Sequence, residues 1–282
     1  MTGVIRVLAI LLGFIWLALG YGIVDLSVML TWDVEFLPLL PLEASWGAVV
    51  TFFVAMPFVV VAVRPVRWAD LVVMSALVVI ALCIGSLLTG ETSGLWLAAA
   101  VAVTGGGIAI PGIVGMRGGE FGPGVHWRPG LDVPFAVLAV AGIPLWGIFV
   151  RDAATLADQS PSDITLGIDH WPIHVAAGVL VPAGAVLAAS VGRLRTLAAV
   201  ATALTATCIG AAMAVSQSYP VATASAHWSV LVLVWGAAVL LAAMRAMALQ
   251  GRPSAEPIQR GATPSPGVAA SNGDARRSSH GG

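Results

Sequence analysis

The chain has 282 residues, of which 59% are hydrophobic and only 10% are charged. Soluble domains carry about 25% charged residues, so this composition excludes a water-soluble globule, which could not cover its core with so few charges. The formal net charge of −1 is uninformative as a total, and no nucleic-acid partner is expected. Both cysteines lie inside apolar runs, which excludes a disulfide-stapled domain and a cysteine-rich zinc site.

Eight apolar stretches are long enough to cross a bilayer, whose core of about 30 Å requires roughly 20 residues in a helix. They lie at about residues 4–24, 46–63, 69–89, 95–116, 132–150, 171–191, 196–216 and 226–249. Runs without alternation are typical of helices, not of barrel strands. The sequence therefore predicts an all-α integral membrane protein with eight transmembrane helices. A cleaved signal peptide over residues 6–20 is the alternative for the first of them.

Arginine placement predicts the orientation of these helices. The segments on one side of the bilayer hold every arginine except Arg151, and the four opposite segments hold nine acidic residues. Loops rich in arginine stay in the cytoplasm. We therefore expect a multi-pass protein of the plasma membrane, embedded in lipid, with both termini cytoplasmic.

An internal repeat appears when the sequence is shifted by 125 positions. Trp46 then aligns with Trp171, and the sequence Cys83 to Gly85 aligns with Cys208 to Gly210. Residues 22–85 share 14 of 64 positions with the second copy without a gap, against about six expected by chance. Both copies begin on the same side of the membrane, so the sequence predicts a tandem 4+4 parallel repeat.

The repeat divides the chain into three parts. Residues 1–125 form the first four-helix repeat, residues 126–249 form the second, and residues 250–282 follow as a tail. The tail is rich in Gly, Ser, Pro and Ala and cannot bury enough apolar surface to order itself, so it is predicted to be disordered and cytoplasmic. The apolar connection at residues 26–42 is expected to be an interfacial helix or a lid.

Four residues inside the predicted helices are candidates for a substrate path. Pro57 and Pro182 are matched by the repeat, and a proline in mid-helix removes a backbone hydrogen bond. Gly106 and Pro111 belong to a glycine-rich stretch that would break the fourth helix and expose backbone groups. Simple packing of bent helices explains the same residues without any function.

Histidines at the start of the sixth and eighth helices are candidates for a metal site. His170 and His174 are one helical turn apart, His227 opens the eighth helix at the same level, and Asp169 precedes His170. Three imidazoles and a carboxylate would bind Zn or Cu. Because each of His170 and His227 is followed by tryptophan, they also fit the polar decoration of a membrane interface.

Three functions remain open from the sequence. The first is a permease for a small neutral or lipidic substrate, because the helix interiors hold almost no ionisable groups. The second is a non-catalytic subunit or assembly factor that binds a membrane-protein partner or forms a homo-oligomer. The third is a metal-binding protein of the extracytoplasmic face. No motif of a hydrolase or a nucleotide-binding enzyme is present, so an enzyme is the less favoured expectation.

Overall fold

The computed structural model describes residues 1–31, 37–118, 130–158, 163–165, 168–219 and 225–250. Within these residues eight helical spans are long and apolar enough to cross a membrane, which confirms the predicted number. The spans are Thr2–Thr31, Leu40–Val63, Pro65–Thr89, Ser93–Arg117, Val133–Ala157, Trp171–Ser190, Arg195–Val215 and Ala226–Leu249. The tail predicted to be disordered lies outside the described residues, apart from Gln250.

The first span is broken into two helices, α1 (Thr2–Ala18) and α2 (Gly22–Thr31). At the break Tyr21 has a φ of 60°, the left-handed conformation that non-glycine residues seldom adopt. The indole Nε1 of Trp46 donates a hydrogen bond to the Gly20 carbonyl at 3.0 Å. The break redirects α2 against α3 (Leu40–Ala48). Much of the predicted interfacial connection at residues 26–42 is thus part of these two helices.

The second span combines three helical geometries. It begins with α3, continues as a π-helix over Val49–Ala55 and ends with α4 (Met56–Val63). Pro57 is the second residue after the π-helical stretch, and prolines and π-bulges are both recognised causes of a helix kink. Pro182, the residue matched to Pro57 by the repeat, lies inside a continuous α-helix instead.

The remaining spans are single helices. They are α5 (Trp68–Thr89) after a 3₁₀ turn at Pro65–Arg67, α6 (Ser93–Arg117), α7 (Val133–Ala157), α8 (Trp171–Ser190), α9 (Arg195–Val215) and α10 (Ala226–Gln250). Gly90 ends α5 in the left-handed conformation, with φ 72°, that glycine adopts without strain. Strands β1 (Asp163–Thr165) and β2 (Ile168–Asp169) form an antiparallel hairpin that leads into α8.

Four central spans form the core and four others surround them. The second, third, sixth and seventh spans are the most buried, while the first, fourth, fifth and eighth are less than a third buried. The second span contacts the seventh, and the third contacts the sixth. Large apolar side chains such as Phe53, Leu180 and Ile209 are fully buried in this centre. The outer spans expose apolar side chains, as lipid-facing helices do.

Opposite to the end where α3 and α8 begin, an ion-pair cluster joins the two halves of the chain. The buried Asp70 carboxylate pairs with the Arg67 guanidinium and, at 2.8 Å, with Arg193 Nε. Arg67 Nη2 also donates to the Arg193 carbonyl, and Arg193 Nη2 donates to the Val66 carbonyl, both at 2.8 Å. We call these three charged residues the arginine cluster. It fixes the turn between the second and third spans against the turn between the sixth and seventh.

Candidate metal site and adjacent cleft

Three buried ligating side chains converge where α2, α3 and α8 meet. Asp25, Glu43 and His170 each present one ligand atom, and these atoms all lie within 4.8 Å of one another. The exposed fractions of the three residues are 3%, 3% and 1%. We call this group the Asp25–Glu43–His170 site. It takes two residues from the first half of the chain and one from the second.

Local structure puts each ligand at the start of a helix. Asp25 lies in the first turn of α2, and its N–H donates to the Tyr21 carbonyl at 2.9 Å, so the break in the first span aims this carboxylate at α3. Glu43 lies in the first turn of α3. His170 precedes α8, whose first N–H, that of Trp171, donates to the Asp169 carboxylate at 2.8 Å. Helix N-termini favour the negative charge of the two carboxylates.

The close approach of α2 to the second span depends on two glycines. A Cβ atom on Gly47 would lie 2.7 Å from the backbone nitrogen of Leu26 and 2.9 Å from the Gly22 carbonyl oxygen. A Cβ atom on Gly22 would lie 2.8 Å from the Thr51 hydroxyl. Since Asp25 lies between Gly22 and Leu26 in the sequence, the absence of these Cβ atoms brings its carboxylate within reach of Glu43.

The His170 ring is oriented for ligation. Its Nδ1 lies 2.9 Å from the Ile168 carbonyl oxygen, which can only accept, so Nδ1 carries the proton and Nε2 keeps a lone pair in the neutral ring. Nε2 lies 4.0 Å from Glu43 Oε2, too far for a hydrogen bond but close to the separation of two ligands that share one ion. In a metal-bound histidine, the ring nitrogen that does not bind the metal commonly donates a hydrogen bond to a backbone carbonyl.

The two carboxyl groups contact each other in a buried place. One carboxyl oxygen of Asp25 and one of Glu43 lie within 4.8 Å of each other. Asp25 Oδ2 is buried without a hydrogen-bond partner among the described residues. Two buried carboxylates in contact are costly unless a proton or a cation compensates their charge. The arrangement is therefore suited to binding a cation.

His174 lies one turn beyond His170 but has different partners. Its Nδ1 lies 2.7 Å from the Ser45 hydroxyl oxygen, which itself donates to the Pro41 carbonyl at 2.9 Å. The ring packs against Phe149, with centroids 4.6 Å apart. The Ser45 hydroxyl has only one proton, so His174 Nδ1 donates to it. His174 is not one of the three residues whose ligand atoms converge.

The other predicted ligands lie elsewhere. His227 is exposed at the start of α10 and lines a small apolar depression with Ala226, Val230 and Leu231. Asp169 caps α8, and its carbonyl oxygen accepts a hydrogen bond from the Ser93 hydroxyl at 3.0 Å. Of the four predicted ligands, the structure places only His170 in the converging group. His170 immediately precedes α8 and His174 lies in its first turn, whereas His227 lies in the eighth span, whose position the spacing could not predict.

The sequence does not identify Asp25 and Glu43 as metal ligands, because acidic residues at these positions also have an ordinary structural explanation. Both lie at the ends of apolar runs on the predicted extracytoplasmic side, where acidic residues are common. The available signal was their position next to those runs, since an acidic residue with apolar neighbours on both sides is costly to bury. Their pairing depends on the break at Gly20 to Tyr21, which the composition of the first span does not reveal.

A cleft of about 930 Å³ opens beside this site. The described lining comes mainly from the break in the first span, the connection from α5 to α6, the outer half of α6, the end of α7 and β2. The lining residues are Trp16, Leu19, Gly20, Tyr21, Trp46, Thr89, Glu91, Thr92, Ser93, Trp96, Leu97, Ala100, Ala157, Asp158, Ile168 and Asp169. Trp46 separates the cleft from the site, because its ring lies 4.7 Å from the His170 ring.

The residues predicted to form a substrate path do not line this cleft. Pro57 is buried in the second span, and Pro182, Gly106 and Pro111 are half-buried in the sixth and fourth spans. A Cβ atom on Gly106 would meet no atom within 4 Å, so this glycine does not mark a close contact. The path through these four residues remains a prediction.

Comparisons with known protein families, with curated proteins and with solved structures found no match to this chain. The function must therefore be inferred from the chemistry of the site and the cleft.

Proposed function

We propose that this multi-pass membrane protein binds a divalent metal ion through Asp25, Glu43 and His170. The observation that carries the proposal is the convergence of three buried ligand atoms within 4.8 Å. The donated His170 Nδ1 proton and the unpartnered Asp25 Oδ2 support it, because both leave lone pairs available inside the group. Two carboxylates would neutralise the charge of a divalent ion, which reduces the cost of burying it.

The donor set favours zinc over copper. One imidazole nitrogen and two carboxylate oxygens suit Zn²⁺, and they also suit Mn²⁺ and Fe²⁺, whereas copper sites usually employ more imidazole or sulfur ligands. Three protein ligands leave a coordination position open, as in zinc sites that exchange a water or a substrate. This proposal replaces the ligand set expected from the histidine spacing, and it keeps His170 as the shared residue.

We also propose that the site faces the extracytoplasmic side. The distribution of arginine supports this orientation, because the arginine cluster and most other arginines lie at the opposite ends of the spans. The bound ion would then be exchanged with the extracytoplasmic medium and not with the cytoplasm.

The internal 4+4 repeat is part of the same proposal. Span contacts support it: the first span contacts the second and the fourth, and the fifth contacts the sixth and the eighth in the same way. The third and fourth spans pair as the seventh and eighth do. In the repeat the second span corresponds to the sixth and the third span to the seventh. The contact between the second and seventh spans therefore has its equivalent in the contact between the sixth and third spans, which is also present. A two-fold axis along the membrane normal would relate such halves.

The permease and subunit hypotheses have less support. The permease hypothesis expects a polar path near Pro57 and Pro182, and the large cleft among the described residues lies at one end of the bundle instead. The subunit hypothesis, with a membrane-protein partner or a homo-oligomer, rests on the low polarity of the spans alone. Neither is favoured by a specific contact.

Metal analysis of purified protein tests the proposal. The protein is depleted with a chelator in a neutral detergent, and Zn²⁺ binding is followed by calorimetry and elemental analysis. We expect one ion per chain for the wild type. Asp25→Asn, Glu43→Gln and His170→Gln should each lower the affinity at least tenfold, because loss of a ligand removes a charged or nitrogen donor.

Two matched variants control this experiment. Asp152→Asn removes a carboxylate that pairs with the exposed Arg151, and His227→Gln removes an exposed imidazole. Both should bind Zn²⁺ like the wild type. Circular dichroism and gel filtration verify that each variant is folded. Absence of stoichiometric zinc in the folded wild type, or equal loss in the controls, would overturn the proposal.

A further inference from the structure

We propose that the cleft beside the metal site binds an organic ammonium cation, either as the headgroup of an amphiphile or as a free amine. This inference uses residues that the metal site does not. It combines the charge of the cleft, the aromatic faces that line it and its position at the end of the lipid-facing helices.

The charged side chains in the described lining of the cleft are all acidic. Three carboxylates line it, those of Glu91, Asp158 and Asp169, and the described lining residues include no arginine. Glu91 and Asp158 are exposed, so their charges face the opening and would attract a cation. Arg151, the nearest basic residue along α7, pairs with Asp152 at 2.7 Å and is not part of the lining.

Four aromatic side chains line the same cleft: Trp16, Tyr21, Trp46 and Trp96. The indole N–H of Trp16 donates to the Thr104 hydroxyl, and that of Trp46 donates to the Gly20 carbonyl. These bonds hold both rings in place, and because both rings are largely buried they form the floor of the cleft, with only a small part of each ring open to a ligand. Trp96 is 78% exposed among the described residues and presents a large aromatic surface on α6. Aromatic faces combined with carboxylates are the usual recognition site for quaternary ammonium groups.

The size and the walls of the cleft fit an amphiphile. A volume of about 930 Å³ is at the upper end of small-molecule sites, larger than an ammonium group alone requires. Leu19, Leu97 and Ala100 form an apolar wall on the first and fourth spans, and Leu19 is 71% exposed. This wall continues onto the outer surface of the bundle, where acyl chains of lipid would lie. A headgroup in the cleft could therefore keep its chains in the bilayer.

A metal ion next to the cleft would not repel such a cation strongly. Asp25 and Glu43 would neutralise the divalent ion, and Trp46 lies between the site and the cleft. The carboxylates of the cleft are separate from the ligands, so ammonium binding does not depend on the metal. The two proposals can therefore fail independently.

Choline and its neutral isostere 3,3-dimethyl-1-butanol test the charge requirement. Calorimetry is done on wild-type protein in a maltoside detergent. We expect binding of choline and at least tenfold weaker binding of the alcohol, which has the same shape but no charge. A second arm inserts the protein in nanodiscs of phosphatidylcholine or phosphatidylglycerol with identical acyl chains. Native mass spectrometry should retain phosphatidylcholine preferentially if the cation is a lipid headgroup, whereas a free amine as ligand shows choline binding without lipid preference.

Variants locate the binding in the cleft. Trp96→Leu and Glu91→Gln should each weaken choline binding about three- to tenfold, the size of effect typical of a desolvated cation–π contact or a nearby charge. The matched controls Leu95→Ala, on the same helix, and Asp152→Asn, at the same end, do not line the cleft and should bind like the wild type. His170→Gln should also retain choline binding, which separates this proposal from the metal site. Equal binding of choline and the alcohol, absence of choline binding together with no preference for phosphatidylcholine, or unchanged binding by both cleft variants would overturn the inference.

Discussion

The Ser45 hydroxyl and the His174 imidazole form a hydrogen bond of 2.7 Å between two residues that are 129 positions apart. Ser45 lies on the second span and His174 on the sixth, which the proposed repeat makes equivalent helices. Both residues are fully buried. The bond therefore fixes the contact between the two halves of the chain directly beside the Asp25–Glu43–His170 site.

Ser45→Ala should destabilise the protein and leave its metal affinity nearly unchanged. The substitution leaves the His174 Nδ1 proton buried without an acceptor, at a cost of about 1–3 kcal/mol. The double variant Ser45→Ala/His174→Ala should cost less than the sum of the single variants, because it removes both partners. Unfolding free energies from titration with SDS measure the cycle. Ser190→Ala, which removes an exposed hydroxyl bonded to its own helix, is the control. Additive single effects would contradict a direct bond.

Gly47→Ala should weaken metal binding although it changes no ligand. The new methyl group would lie 2.7 Å from the Leu26 backbone nitrogen, so α2 must move away from α3 and take Asp25 with it. We expect a loss of stability of about 1–3 kcal/mol, as for other overpacked sites, together with a lower affinity for Zn²⁺. Thermal unfolding and calorimetry measure the two effects.

Gly147→Ala is the matched control for that substitution. Gly147 is aligned with Gly22 by the repeat, but a Cβ atom there meets nothing within 4 Å. It should leave zinc affinity and stability close to the wild-type values. If Gly47→Ala also bound zinc normally, the close approach of α2 and α3 would not be what positions Asp25.

Asp70→Ala should loosen the opposite end of the bundle. The buried carboxylate joins Arg67 and Arg193, and its loss leaves two guanidinium groups without their shared acceptor. Breaking a buried ion pair costs about 3–5 kcal/mol, and the partial exposure of both arginines places the expected value near the lower limit. Asp152→Ala, which breaks the exposed pair with Arg151, should cost less than about 1 kcal/mol. SDS-induced unfolding compares them, and equal losses would show that the arginine cluster has no special role.

Reporter fusions test the orientation on which the extracytoplasmic placement of the site depends. Fusions after residues 90, 160 and 222 should report an extracytoplasmic location, and those after residues 66, 122, 194 and 255 should report a cytoplasmic one, since arginine-rich segments stay inside. Alkaline phosphatase and a fluorescent protein give complementary signals at each position. A reversed pair of neighbouring fusions would contradict the orientation.

Hydrophobic run length by itself determined the eight spans. A segment of about 20 apolar residues has one stable form in a bilayer, a helix that satisfies its own backbone, so composition is enough to find it. The positions of Pro41, Pro134 and Pro172 in the first turns of their helices follow from the same local chemistry. These features depend on neighbours in the sequence and on the solvent, and both are known before the chain folds.

Only the tertiary structure decided which polar residues meet. The break at Tyr21 turns Asp25 towards Glu43, and the contact between the second and sixth spans brings His170 to both. The spacing of His170 and His174 was visible in the sequence, but their partners come from 127 and 129 positions away. Helix packing in lipid depends on small-residue contacts and on hydrogen bonds between distant segments, for which a single sequence has no local signal. For that reason His227 resembled a ligand in the sequence, whereas Asp25 and Glu43 resembled only the acidic ends of transmembrane helices.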